Sequence, residues 1–224
     1  MTTYGFDKKT SPHIDSLARE GVLFENMCAT ASSTPPSHMS MMTGLYLGVH
    51  AVLNEQILSP NIKTLPEHLS DAGYGTGAVT ENGFLIRKMG FGRGFDDYFE
   101  IKDTELFEQL LVTGGFAKDV FTKGKSWIRE KTDQRFFLFL HTYEVHTPYF
   151  PPEPYNTAFL DNPEKNEKTF EKFKKYQGRI DSRKFSPEFL RSQYEGEIKY
   201  VDDLVKDLIT FLKKIISIAR LSLL

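Results

Sequence analysis

The chain has 224 residues, 40% hydrophobic and 26% charged, an ordinary globular composition long enough to bury a core, with a single domain over residues 1–224 as the default. A formal net charge of −2 gives no electrostatic argument for nucleic acid or for an acidic membrane surface, so any anionic ligand must be held locally. The one cysteine, Cys28, has no internal disulfide partner and reads as a small apolar core residue. The opening Met-Thr-Thr-Tyr-Gly-Phe lacks the basic region and apolar run of a signal peptide, and no stretch reaches the roughly 20 apolar residues of a membrane span.

Along the chain, Ile14, Leu17 and Ala18 fall at helical spacing after Pro12, and Gly21 supplies a stop, so 12–20 reads as a helix. Residues 22–27 read as a strand. A polar loop over 30–36 leads to Ser37, placed to cap a helix that runs through 41–43 and stops at Gly44. Thr64-Leu65-Pro66-Glu67 is a capping-box pattern, with Leu65, Leu69 and Ala72 on one face and Gly73 at the end. Residues 75–80 are short and partly β-branched, and Asn82-Gly83 suggests a turn after them. Gly90, Gly92 and Gly94 read as a tight loop rather than a dinucleotide fingerprint, because no strand-to-helix context surrounds them.

A third helix is predicted over 116–130 with Phe116, Val120, Trp127 and Ile128 facing the core, and the five apolar residues 136–140 have the pattern of a strand buried on both faces. Strands separated by helices predict an α/β fold with a doubly wound, mostly parallel sheet, whose ligands bind at the carboxyl edge, here 141–146. The lysine-rich stretch 161–185 reads as a solvated excursion. Ser186 and Pro187 then open a long helix with Leu190, Tyr194, Ile198, Val201, Val205, Leu208, Ile209 and Leu212 at helical spacing, and the apolar tail over 213–224 is atypical for an exposed terminus.

The segment Ser33-Thr34-Pro35-Pro36-Ser37-His38 carries the chemistry. A hydroxyl held just before a helix N-terminus faces unpaired amide hydrogens and the positive end of the dipole, which suits a tetrahedral anion. An ordinary capped turn is the plainer reading of the same residues, and the hydroxyl needs a base or metal to become a nucleophile. His141 and His146, five residues apart beyond the buried strand, can point into one pocket as proton donors or ligands of a leaving oxygen, or can be structural histidines bonded to backbone.

Several blocks together resemble the sulfatase family of the alkaline phosphatase superfamily. They are Tyr4-Gly5-Phe6 with 10–26, the nucleophile segment 34–44, 67–74 with 90–96, the block 136–149, and Tyr194-Glu-Gly-Glu-Ile-Lys-Tyr-Val-Asp-Asp203. The resemblance implies an alkaline-phosphatase-like sheet and hydrolysis or transfer of a sulfate or phosphate ester of a small molecule or glycan. Thr34 would be the nucleophile and a metal contact. His146 would assist the leaving group or bind the anion, with His141, His38 and Ser37 in the same pocket. The implied cofactor is a divalent metal (Ca, Mg, Mn or Zn).

The departures from the family pattern shape the expectation further. Sulfatases proper carry Cys or Ser in Cys/Ser-x-Pro-x-Arg and convert it to formylglycine. Thr34 rules out that aldehyde, and His38 stands where the arginine would be. Thr80-Glu81-Asn82-Gly83 replaces a Gly-Lys-Trp-His block, removing a lysine from the anion site. Fewer cations favour monoanionic groups, a sulfate ester or phosphodiester. The resemblance also implies an acidic metal-binding strand ahead of Tyr4-Gly5 and an Asp-His strand after the long helix, neither of which stands in these residues. Hard cations need several oxygen ligands, so the expectation is a truncated or interrupted gene product with a sheet incomplete at both ends, poorly soluble and with little or no activity. The alternative is a non-catalytic remnant or binding module. Relatives of this kind are often periplasmic or extracellular.

Overall fold

The computed structural model describes residues 1–53, 56–81, 83–101, 116–174 and 184–221, and the side chains of these apart from 163–167, 174 and 217–221. In chain order the elements are α1 (Pro12–Glu20), α2 (Thr34–Thr43), α3 (Leu47–His50), α4 (Leu65–Asp71), β1 (Gly75–Thr80), β2 (Asp97–Glu100), α5 (Ala117–Glu130), β3 (Phe136–His141), α6 (Pro163–Lys174) and α7 (Pro187–Leu221). The described residues gather into two compact units, one drawn from Met1–Glu25, Glu105–Lys118 and Thr142–Arg220, the other from Asn26–Thr104 and Asp119–His141.

In the second unit β1 is the middle strand of a parallel sheet of order β2-β1-β3, with Gly77 opposite Asp97 and Thr80 opposite His141. All six β1 residues are buried. Because side chains alternate across a strand, Gly77 and Ala78 serve opposite faces. A Cβ on Gly77 would lie 2.6 Å from the Trp127 ring, and one on Gly124 would lie 2.8 Å from Leu140, so α5 and the sheet meet through glycine on both surfaces. Trp127 Nε1 donates to Asp97 Oδ2 at 2.8 Å, tying α5 to β2. On the other face Ala78 joins Met39, Met42, Val52, Leu58, Leu85, Phe91, Phe95 and Tyr98 in one buried cluster, with Phe137 and Phe139 packed against it. Helices thus flank a parallel sheet, the α/β architecture that the alternation of elements predicts.

Four local expectations change here. Residues 22–27 form no strand: Val22, Phe24 and Met27 are 79%, 63% and 76% exposed, and this backbone has no ladder partner among the described residues. The short strand β2, too polar to stand out in sequence, pairs instead. The side chains of β3 are half-buried rather than fully buried, since β3 is paired on one side only within the described sheet. On α4 the capping box is formed, Thr64 accepting from Glu67 N and Glu67 from Thr64 N, yet Leu65 and Ala72 are exposed and Pro66 is the buried residue. Asn82 of the expected turn lies outside the described residues. Cys28 is exposed, not a core residue.

The glycine loop 90–94 is a clasp for α4. Arg93 donates to Glu67, to Ser59 O at 2.9 Å and to Ile62 O at 2.8 Å. Gly94 has φ +79°, and a Cβ there would lie 2.2 Å from Glu67 N.

The first unit is organised by α1 and α7. Asp202 of α7 accepts from His13 N and Ile14 N at 3.0 and 2.8 Å, so a distant carboxylate caps α1 where Ser11 makes no side-chain cap bond. Ser186 caps α7 through Phe189 N, with Pro187 in the first turn as expected. The buried face of α7 is polar, however: Ser192, Gln193, Glu195, Glu197 and Asp202 are at most 3% exposed, while Tyr194 of the expected apolar stripe is 40% exposed. The lysine-rich stretch is not simply solvated, because Phe170 and Phe173 of α6 pack with Phe185, Phe189, Phe150 and Leu160 in a small aromatic core. Residues 222–224 of the tail lie outside the described residues; α7 continues to Leu221, with Ile216 52% exposed. Among the described residues no helix is long and apolar enough to cross a membrane.

The clasp yields a contrast. A Cβ on Gly92 would lie 2.8 Å from Arg87 Cγ and 3.3 Å from Arg87 Cβ, with no positive φ to strain, so Gly92→Ala must shift that side chain and is the milder of the two changes. Gly94→Ala meets rigid backbone from a positive φ and costs on the order of 1–3 kcal/mol. Urea midpoints of the two variants measure the difference.

Candidate active site

Thr34 is the first residue of α2, not the residue before it. Ser33 is the N-cap, extended at φ −115° and ψ 155°, and makes no side-chain cap bond. Ser37 does not cap either: it lies inside the first turn, where its Oγ donates to Ser33 O at 2.9 Å and Thr34 O at 3.2 Å. Nor does this helix end offer several unpaired amide hydrogens. Pro35 and Pro36 carry none, and Ser37 N already donates to Ser33 O at 3.3 Å.

The helix does bring a base beside Thr34. His38 sits one turn on, its Nδ1 2.9 Å from the Thr34 carbonyl. A carbonyl only accepts, so Nδ1 carries the proton and Nε2 keeps a lone pair. The His38 ring meets that of His141 edge-on, centroids 5.1 Å apart. His141 is the last residue of β3 rather than part of a loop, and it stacks on Phe139. The structure therefore collects Thr34, Ser37, His38 and His141 in the second unit, with His141 at the carboxyl end of a parallel strand. His146 belongs to the first unit, exposed, with Nδ1 2.6 Å from Thr147 O and its ring edge-on to Tyr143.

His38 and His141 are held neutral. Burial, then the charge of His38, pushes His141 down to about 3. Burial also lowers His38, partly opposed by its bond to the Thr34 carbonyl. At neutral pH they are proton acceptors, not a substitute for a guanidinium.

Sequence reasoning missed His50. It is 2% exposed, with Nδ1 accepting from Val52 N at 3.0 Å and Nε2 3.0 Å from Ser40 Oγ, so it braces α2 from below the nucleophile turn. Only its place seven residues after Thr43 hinted at a link to α2.

Among the described residues, the set of three or more His, Cys, Asp or Glu donors that converges is His13, Asp202 and Asp203. Its oxygens are engaged: Asp202 caps α1, while Asp203 binds Lys199 at 2.5 Å and Tyr155 Oη at 3.0 Å. No such set forms around Thr34 among the described residues, so the side chains described there do not make a cage for a hard cation.

Comparison with known proteins gives a consistent picture. A family model described as Sulfatase matches residues 1–215. The N-acetylgalactosamine-6-O-sulfatase of Bacteroides thetaiotaomicron is 36% identical over 85 residues, covering 35% of this chain and 17% of that protein. The human N-sulphoglucosamine sulphohydrolase is 28% identical over 142 residues, covering 61% of this chain and 27% of the relative. A phosphonate monoester hydrolase of Agrobacterium radiobacter shares the fold, with a TM-score of 0.72 at 20% identity over 96% of this chain and 56% of that one. The chain thus spans about a quarter or less of these curated relatives and about half of this structural neighbour.

His141 gives a pH signature. Its folded value, about 3, lies below the ordinary 6.5, so its contribution to stability is whole above pH 6.5 and is lost as pH falls toward 3. Urea midpoints followed from pH 7 downward should therefore fall more steeply for the wild type than for His141→Gln.

Proposed function

This chain belongs to the sulfatase family, and from that premise we propose that it carries the nucleophile of a hydrolase acting on sulfate or phosphate esters, with Thr34 attacking the central sulfur or phosphorus. The observation that supports this most is the meeting of Thr34, His38 and His141 at the end of β3, the edge where parallel α/β sheets bind ligands. Formylglycine chemistry has no place here, because a threonine side chain does not yield an aldehyde. The hydroxyl itself is the nucleophile.

Thr34 Oγ1 forms a bond to sulfur or phosphorus and gives its proton to the lone pair of a neutral histidine, His38 Nε2 or His141. The bond to the ester oxygen breaks, and the alcohol leaves with that proton. Water then attacks the same centre and gives a proton to the same histidine, which passes it to Thr34 Oγ1 as the bond to Thr34 breaks, and the free oxyanion departs. Members of the sulfatase and alkaline phosphatase families are metal-dependent. A divalent cation bound there would polarise the ester oxygens. The described residues around Thr34 do not form its cage, and no step above passes through it.

The charge balance favours a monoanion. Two neutral histidines and a helix start with two prolines give little to offset a second negative charge, so a sulfate ester or phosphodiester suits the site better than a phosphate monoester. The relatives named for sulfated amino sugars make a sulfated glycan or a smaller sulfate ester the class to try first.

Release of an aryl alcohol from its sulfate ester tests the proposal. Thr34→Ala should abolish turnover and Thr34→Ser should retain part of it, while His38→Gln should lower kcat on the order of 10²-fold. Mass spectrometry of wild-type protein quenched in acid during turnover should find the covalent anion on the Thr34 peptide. Turnover that survives in Thr34→Ala would overturn the assignment. A second reading, a binding module of the same fold, is favoured by the absence of a converging donor set at Thr34 among the described residues. It expects no heat of metal binding by calorimetry and no ester turnover.

A further inference from the structure

The first unit has a groove that the proposed reaction does not use. It encloses about 610 Å³, the size of a small-molecule site, and one wall is a single face of α7, where Arg191, Tyr194, Glu195, Ile198 and Val201 follow at helical spacing. The chain ahead of α1 supplies more of the lining through Tyr4, Phe6 and Thr10. That segment is tied down by Asp15, whose carboxylate accepts from Thr2 Oγ1 at 2.5 Å and Thr3 Oγ1 at 2.8 Å. All of these residues belong to one unit.

Two polar atoms of the lining residues have no hydrogen bond among the described residues, Glu195 Oε1 and Thr10 Oγ1. Glu195 and Thr10 are 1% and 0% exposed, so bulk water does not supply the missing partners. Glu195 Oε2 receives Lys8 Nζ at 2.8 Å, which leaves one half of a buried carboxylate without a donor. An oxygen in that state is costly and calls for a partner.

The charges decide which partner. Lys8 already balances Glu195, and Arg191 adds a further cation to the lining, so an ammonium would meet net positive charge. A carboxylate would bring no donor to Glu195. An uncharged group that donates to Glu195 and accepts from Thr10 satisfies both, and a carboxamide has one atom for each task.

We propose that this groove binds an uncharged aromatic carboxamide, its N–H donated to Glu195 Oε1, its carbonyl accepting from Thr10 Oγ1 and its ring lying against the apolar side chains of α7. Tyr4 and Tyr194, 57% and 40% exposed, offer the ring faces and edges for that contact. Met1, unbranched and 36% exposed in the same lining, is the side chain that gives way to admit the ligand. The site is independent of Thr34 and needs no turnover.

Calorimetric titration of the full chain with three compounds that share one ring system tests the assignment: naphthamide, methyl naphthoate, which has no N–H, and naphthylmethylammonium. The amide should bind about tenfold tighter than the ester, the difference expected of a hydrogen bond to a charged acceptor, and the ammonium should bind no better than the ester. Glu195→Ala removes the acceptor and should bring amide and ester to equal affinity. Because that change also unpairs Lys8, the site is located separately in wild-type protein by NMR of methionine labelled at its methyl carbon. The amide should shift the Met1 signal and leave those of Met27 and Met41, which belong to the other unit, where they are. No heat with the amide, equal binding of amide and ester by the wild type, tighter binding of the ammonium, or a Met1 signal that does not move would each overturn the proposal.

Discussion

Met39 and Met42, 1% and 4% exposed, fasten α2 into the cluster of Ala78, Leu85 and Tyr98 on one face of the sheet, and the candidate site inherits its geometry from that packing. With those two side chains buried, the opposite side of the helix must carry Ser37 and Met41 toward solvent, and the first turn must lie where His38 meets His141. His50 adds a polar brace from α3. A proposed hydroxyl nucleophile needs a fixed position relative to its base, and here α2 is fixed by an apolar cluster that reaches the histidines through Phe139.

The start of α2 differs from an ordinary anion-binding helix terminus. Such a site depends on free amide hydrogens, which are also the source of the positive partial charge. Pro35 and Pro36 remove two of them and Ser37 N is occupied. What the prolines give in exchange is rigidity, since their fixed φ suits the first helical turn. The turn therefore positions Thr34 more than it attracts an anion.

The elements that local chemistry writes into the chain were legible: the proline-led start of α1, the capping box of α4, the apolar run of β3 and the Ser186-Pro187 start of α7. What failed was decided by partners remote in sequence. Residues 22–27 open with the apolar run Val22-Leu23-Phe24 and read as a strand, but a strand exists only through its ladder. Asp97–Glu100 becomes a strand by pairing with β1. On α7 the spacing of apolar residues marks a helix but not its buried face. Asp202 is drawn inward to cap α1, and Glu195 to meet Lys8 at 2.8 Å, bonds that no periodicity reveals. In the site, Thr34 and His38 could be paired from their i, i+4 spacing alone, whereas the approach of His141 depends on how α2 lies on the sheet. The resemblance to a known family supplied the chemical meaning of those residues; the spacing by itself allowed a plain capped turn.

The two histidines also set a limit on what this site can stabilise. A guanidinium at the His38 position would keep its charge at any working pH, and with it a fixed attraction for a second anionic oxygen. Imidazoles pushed down by burial, and at His141 also by His38, offer hydrogen bonds and a lone pair, but little positive charge at neutral pH. In the proposed reaction a neutral His38 takes the proton of Thr34, which a guanidinium cannot do. Replacing the cation with a base thus gives up ground-state attraction for the anion and gains activation of the hydroxyl, a change that is coherent only where the nucleophile is an ordinary threonine in need of deprotonation.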